Sequence, residues 1–270
     1  MNIFYTLSSV ALSAGQKLMR IQFEGSDGAD LLSQSFFAEL LHRVFPRVPL
    51  LFEESDVAWK NDTMSRFPDM RLLDGSDSNM TLPEEFIVVD PLDGSVVFEN
   101  GCLEWAVSVA YVKDGQPNVS CVYQPLQEML IATQRGEGCF CREKPLAMVQ
   151  KTKPFAKAMI GLDMCQAVSS DDMANVFLPL VNAFRYPRNL PSVASGIDLL
   201  LGRTVAWCST NARIWDVAGT ALAVQEAGGI AECLDGSPIP WNYVRMPPLL
   251  FCANQAVCLE VRKLLRLRPC

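Results

Sequence analysis

Histidine is almost missing: His42 is the one histidine in 270 residues, and that scarcity removes several chemistries together. A His-based catalytic triad and a histidine-rich zinc site both lack their working residue. His42 itself follows Leu40-Leu41 in an apolar helical stretch, which is a structural setting. Positive charge is also in deficit. With 23 Lys and Arg against 30 Asp and Glu the formal net charge is −7, which argues against a nucleic-acid polymer as partner. No stretch is long and apolar enough to span a bilayer, so no membrane partner is expected. Residues 1–23 look superficially like a signal peptide. However, no Lys or Arg precedes Lys17, and Asn2, Thr6, Ser8 and Ser9 break the apolar run. Ten cysteines are present but no Cys-x-x-Cys, the closest pair being Cys139-x-Cys141. Scattered among apolar neighbours, they read as reduced core thiols of a cytoplasmic protein.

The chain changes texture near residue 150. Val10, Ala14, Lys17-Leu18 and Ile21 fit a first helix with small residues on one face, followed by a polar turn at Glu24–Gly28. A second helix is predicted over Asp30–Val44 and a short strand over Val48–Phe52. Residues 56–83 are polar and irregular, with a turn at Asp74–Asp77, and read as a surface insertion with freedom to move. Strands then follow at 86–90, 104–112, 117–123 and 128–133, the middle two joined by a hairpin at Lys113-Asp114-Gly115. Beyond 150, strands at 159–161, 205–208 and 249–252 alternate with helices at 172–184, 195–201, 216–227 and 256–267. The expectation is an α+β half over 1–148 and an α/β half over 149–270.

The most informative stretch is Phe86-Ile-Val-Val-Asp90-Pro-Leu-Asp93-Gly94-Ser95. Four apolar residues make a buried strand, and Pro91, which has no amide hydrogen, is expected to end it at Asp90. Asp-x-x-Asp-Gly then leaves two carboxylates together at a strand end, with Gly94 and Ser95 N–H groups available at a helix start. Carboxylates for a hard cation beside amides for an oxyanion suit phosphate chemistry. A second signal is Trp215-Asp216, eleven residues, then Gly228-Gly229, where Asp216 is placed to cap a helix and Gly228 to end it. Glu53-Glu54 stands at another strand end. Glu84-Glu85 lies at the far end of the strand leading to Asp90, roughly 17 Å away and too far to share a cation with it.

Taken in order, Asp30, Glu53-Glu54, Asp90–Ser95 and Trp215-Asp216-x11-Gly228-Gly229 resemble the inositol monophosphatase family of lithium-sensitive, Mg²⁺-dependent phosphomonoesterases. Glu104–Ala110, Val119–Pro125 and Glu128 with Ala132, Gly136 and Gly138 are similar to that family's central hairpin and following strand. The resemblance implies a five-layered αβαβα sandwich with the site between its halves, and a possible homodimer. By position, Glu53, Asp90 and the Leu92 carbonyl match the ligands of a first Mg²⁺. Asp90, Asp93 and Asp216 match those of a second, and Asp30 an acidic residue near a weaker third. Ser95 matches a Thr that helps Glu53 activate water, with Asp93 beside them. Gly94, Ser95, Ser209 and Asp216 fall at substrate-contacting positions. The implied activity is hydrolysis of a small phosphorylated metabolite.

Departures from the family pattern concern the substrate-facing shell. Phe52 precedes Glu53 where Gly is common, and no lysine matches the one usually found before Asp30. Leu190-Pro191-Ser192-Val193 replaces a loop of small residues. Ser209 stands where inositol phosphatases carry a polyol-binding Glu, seven residues before the Asp of Trp-Asp. The Asp-Pro-Leu-Asp-Gly spelling is common in the 3′-phosphonucleotide phosphatase branch, but Val96-Val97 replaces the Lys-Glu typical there. A catalytically weak relative acting as a binding or regulatory protein is the alternative from another class.

Overall fold

The computed structural model describes residues 2–24, 28–77, 80–148, 153–165 and 168–266. Two sheets carry it. The first runs in chain order through β1 (Leu50–Phe52), β2 (Phe86–Asp93), β3 (Ala106–Lys113), β4 (Gln116–Gln124), β5 (Met129–Gln134), β6 (Gly138–Cys141) and β7 (Lys144–Pro145). Among the described pairs of this sheet only β1–β2 is parallel; the rest are antiparallel neighbours, β2 and β3 joined through a short helix and the later pairs by short connections. The second sheet contains β8 (Met159–Asp163), β9 (Tyr186–Asn189), β10 (Ala206–Ser209), β11 (Ile230–Cys233) and β12 (Leu249–Cys252), in the order β11-β12-β10-β8-β9. Here β8 pairs in parallel with both β9 and β10.

Side-chain alternation along the strands builds the layers. On β2, Ile87 and Val89 join the core beneath α1 (Ile3–Glu24) and α2 (Ala29–Val44). Phe86 and Val88 face the opposite core, shared with α7 (Ser192–Leu200) and α8 (Ile214–Glu226). On β10, Trp207 enters that central core, while Ala206 and Cys208 face the outer one with α9 (Gln255–Leu264). The result is helix, sheet, helix, sheet, helix. Between the sheets, α8 is buried from Ile214 to Val224 on nearly all sides, as a helix apolar all round must be. The small residues predicted on α1 serve close approach: a Cβ on Gly15 would lie 2.6 Å from Pro125 Cγ and Tyr123 Cδ1.

Several local expectations change. The 56–83 segment is not a loose insertion. Asp56 caps α3 (Val57–Arg66) through the Trp59 N–H, and Trp59, Thr63, Met70 and Leu82 are buried. Backbone bonds between Leu50 and both Arg71 and Leu73 bind the segment to β1, and Leu82 N–H donates to Asn242. The predicted helix at 172–184 begins as α5 (Ser170–Asp172), passes through a π-turn at Met173–Phe177 and ends as α6 (Leu178–Ala183). Strands β9 and β11 were not expected. The turn at Glu24–Gly28 and the extension of α9 to Leu267 fall partly outside the described residues. All nine described cysteines are free thiols; Cys102 and Cys165 are exposed and the others at least partly buried. His42 faces Asp69 at 3.2 Å and packs on Phe67, a structural role.

Candidate metal centre

The site grows from an irregularity in β2. Residues three apart on a regular strand point to opposite faces. Asp90 pairs with Ser108 and Asp93 with Ala106, so β2 carries one residue more than its partner over this span. The bulge brings both carboxylates to one side. The strand therefore does not stop at Asp90: it bends through Pro91, which has no N–H to lose from the ladder, and reaches Asp93. Two bonds fix the bend. Leu92 N–H donates to Asp90 Oδ1 at 3.1 Å, and the buried Ser33 hydroxyl of α2 donates to the Pro91 carbonyl at 2.7 Å. Next on α2, Gln34 exchanges two 3.1 Å bonds with the backbone of Glu54, fixing the chain just after Glu53.

Gly94 ends the bend in the left-handed region, with φ 88°, and the five-residue α4 (Ser95–Glu99) starts immediately after it. A Cβ at Gly94 would also lie 2.6 Å from Pro191 Cγ, so two independent reasons require glycine. Pro191 belongs to the Leu190–Val193 stretch, whose last two residues are not loop but the first turn of α7, three residues ahead of the expected start. That turn docks on the first half: Val193 N–H donates to Asp93 Oδ2 at 2.9 Å.

Asp216 arrives from α8. It is the third residue of the first turn rather than the cap, and its Oδ2 accepts the Arg213 N–H at 2.6 Å. Carboxylate oxygens of Asp90, Asp93 and Asp216 lie within 4.8 Å of one another, and Glu53 hydrogen-bonds Asp90. Burial, reinforced by mutual repulsion, raises all four pKa values. Glu53 is pushed up to about 7 and Asp93 to about 8, while Asp90 and Asp216 rise well above the carboxylate range. Asp30 and Glu54 are raised too, chiefly by burial, and Asp30 is close enough to be felt at Glu53. Such a group of carboxylates is short of positive charge. All its donors are oxygens, with no imidazole or thiol, which fits a hard divalent cation. A separate groove of ≈ 580 Å³, lined by Phe4, Tyr5, Leu130 and Phe140 among others, contains none of these residues.

Ser209 is fully buried, so it presents no surface to a substrate; its hydroxyl donates to Asp163 Oδ2 at 2.8 Å. Asp163 and Arg213 were both passed over in the sequence. Asp163 ends β8, beyond the predicted strand limit, and its charge is felt at Asp93 and Asp216. An Asp at the carboxyl end of a parallel strand in an α/β half is the signal that could have found it. Arg213 lowers the pKa of Glu53 by its charge, and among the described residues its buried Nη1 has no hydrogen-bond partner.

A sequence profile of the inositol monophosphatase family matches residues 26–264. The chain belongs to that family. Among its curated relatives is an inositol-1-monophosphatase of Mesorhizobium japonicum, 30% identical over 153 residues, covering 55% of this chain and 57% of that protein. Another is the Nus factor SuhB of Pseudomonas aeruginosa, 31% identical over 157 residues, covering 56% and 57%. The matched stretch thus spans somewhat over half the length of these relatives. Solved structures resemble the whole fold. SuhB of Bartonella henselae superposes with a TM-score of 0.82 at 20% identity, covering 98% of both chains. Inositol monophosphatase of Anabaena superposes at 0.79 with 21% identity, covering 98% of this chain and 96% of that one. The αβαβα sandwich is therefore the family's fold.

Proposed function

We propose that the protein is a Mg²⁺-dependent phosphatase acting on a phosphate monoester of a small hydroxylated metabolite, a sugar, an inositol or a related polyol. The observation that carries this reading is the convergence of Asp90, Asp93 and Asp216 within 4.8 Å, with Glu53 bonded to Asp90. Glu53, Asp90 and the Leu92 carbonyl would hold one cation, and Asp90, Asp93 and Asp216 the second. Asp30 stands near enough to Glu53 and Glu54 to serve a third. When bound, the cations supply neutralisation of the phosphoryl charge and activation of water.

The chain's own groups supply the rest. At the start of α4 the first N–H groups have no intrahelical partner, so those of Gly94 and Ser95 are suited to a phosphoryl oxygen. The Ser95 hydroxyl would orient the attacking water toward Glu53, which takes its proton. Asp93 holds the α7 turn against β2 through the Val193 N–H, beside the place the substrate would occupy.

The core contacts phosphate and leaves the alcohol to other residues. Ser209 replaces the polyol-binding Glu and is buried, so inositol 1-phosphate is expected to be turned over without being the best substrate. Phosphate release from a panel of sugar, polyol and nucleoside monophosphates tests the reading. It predicts release with Mg²⁺, loss in chelator, recovery on readdition, and a higher kcat/KM for another ester than for inositol 1-phosphate. No release from any ester would contradict it. The relatives named Nus factor SuhB favour a second reading, in which the family fold serves a regulatory assembly. The retained acidic cluster, with Arg213 the one counter-charge felt there among the described residues, supports the enzyme.

A further inference from the structure

We infer that Asp163 accepts a hydrogen bond from a hydroxyl of the substrate's alcohol portion, beside the carboxylate cluster, and so selects esters of polyhydroxylated alcohols. This rests on the phosphatase reading and names the residue that recognises the leaving group. Asp163 ends β8 directly opposite Ser209 of β10, at the carboxyl ends of neighbouring parallel strands, where α/β sheets bind ligands. Its charge is felt at Asp93 and Asp216, so it stands close to the cluster without being one of the three converging carboxylates.

The residue is held as a positioned acceptor is held. Its Oδ2 takes two hydroxyl donors, Ser192 at 3.1 Å and Ser209 at 2.8 Å, both buried. The next residue, Met164, exchanges two backbone bonds with the Asn189 amide, at 2.8 and 2.9 Å. That repeats the arrangement at Glu53, where the Gln34 amide grips the following residue. Asp163 is only partly buried, and among the described residues its Oδ1 has no hydrogen-bond partner and no cation pairs with it. A carboxylate oxygen is an acceptor, so the open oxygen is available to a donor. The neutral hydroxyls already on Oδ2 show that alcohol donors suit it. Ser209 and Ser192 are then positioning residues, acting through Asp163.

The test is a matched pair of esters with the same kind of primary leaving oxygen, glycerol 1-phosphate and n-propyl phosphate, at fixed Mg²⁺. The full chain should prefer the glycerol ester. Asp163→Ala should reduce the ratio of the two kcat/KM values by about tenfold or more, mainly through KM for the glycerol ester, the scale of a charged hydrogen bond. Asp163→Asn, nearly isosteric, should move the ratio the same way, and Ser209→Ala by less, with unchanged circular-dichroism spectra. Equal losses on both esters, an unchanged ratio, or a preference for ethanolamine phosphate that Asp163→Ala abolishes would overturn the assignment while leaving the phosphatase standing. If the unmutated protein hydrolyses neither ester nor any member of the wider panel, the phosphatase reading falls and this assignment with it.

Discussion

Without divalent cations, the protein should lose thermal stability as pH rises from about 5 to 8, and Mg²⁺ should restore it mostly at the upper end. The sign follows from the raised pKa values. A carboxylate whose folded pKa exceeds its unfolded value keeps its proton in the native state after the unfolded chain has released it. The folded state then binds more protons, and stability falls with pH until the folded pKa is passed. For Glu53 the window runs from the ordinary 4.5 to about 7, and for Asp93 from 3.8 to about 8. A tenfold change in proton affinity is worth about 1.4 kcal/mol. Glu53 alone therefore costs the metal-free fold about 3 kcal/mol above its folded pKa of about 7. For a domain of this size that is roughly 5–10 °C in Tm. Asp74, held at about 2 by Lys60 and Ser76, and Asp235, also lowered, titrate beneath this window. Scanning calorimetry across the pH range, in chelator and in Mg²⁺, reads both curves. A chelated Tm that is flat or rising between about pH 5 and 8, or an equal Mg²⁺ gain at both ends, would refute the reasoning.

Asp90→Asn should cut phosphate release by roughly a hundredfold or more, because this carboxylate would serve both cations. The same substitution should raise the chelated Tm above neutral pH by removing a buried charge, which calorimetry checks. Ser95→Ala should lower kcat by about tenfold while KM changes little, since its hydroxyl would act on the attacking water; steady-state kinetics separates the two. Gly94→Ala should cost about 1–3 kcal/mol in denaturant unfolding, since the backbone there has φ 88° and the new methyl meets Pro191.

The converging carboxylates were readable because a strand entering Asp-Pro-Leu-Asp-Gly, a Glu pair at a strand end and an Asp beginning a helix, each weak alone, together resemble a known family's motifs in order. The geometry that makes them one site was less so. Nothing in the spelling of β2 reveals that a bulge turns Asp90 and Asp93 to the same side. Asp163, Ser209 and Ser192 meet only through strand pairing and the docking of α7, across 46 and 29 residues of chain. Helix α3 was missed because its buried face is little more than Trp59 and Thr63, too thin an apolar stripe to show periodicity. β9 was missed because Tyr186-Pro-Arg-Asn189 carries a proline and little apolar character, which an edge strand tolerates. The long, continuously buried runs, β2 to β4 and the α8 core, were read close to where they lie.

The central claim is that these carboxylates gather divalent cations, and locating the ions tests it most directly. Crystals of the protein soaked in Mn²⁺ should give anomalous peaks at the cluster, one beside Glu53 and Asp90 and one among Asp90, Asp93 and Asp216. Both should be lost in Asp90→Asn. An ordered protein whose cluster binds no Mn²⁺, its carboxylates bonded only to one another, would contradict the account.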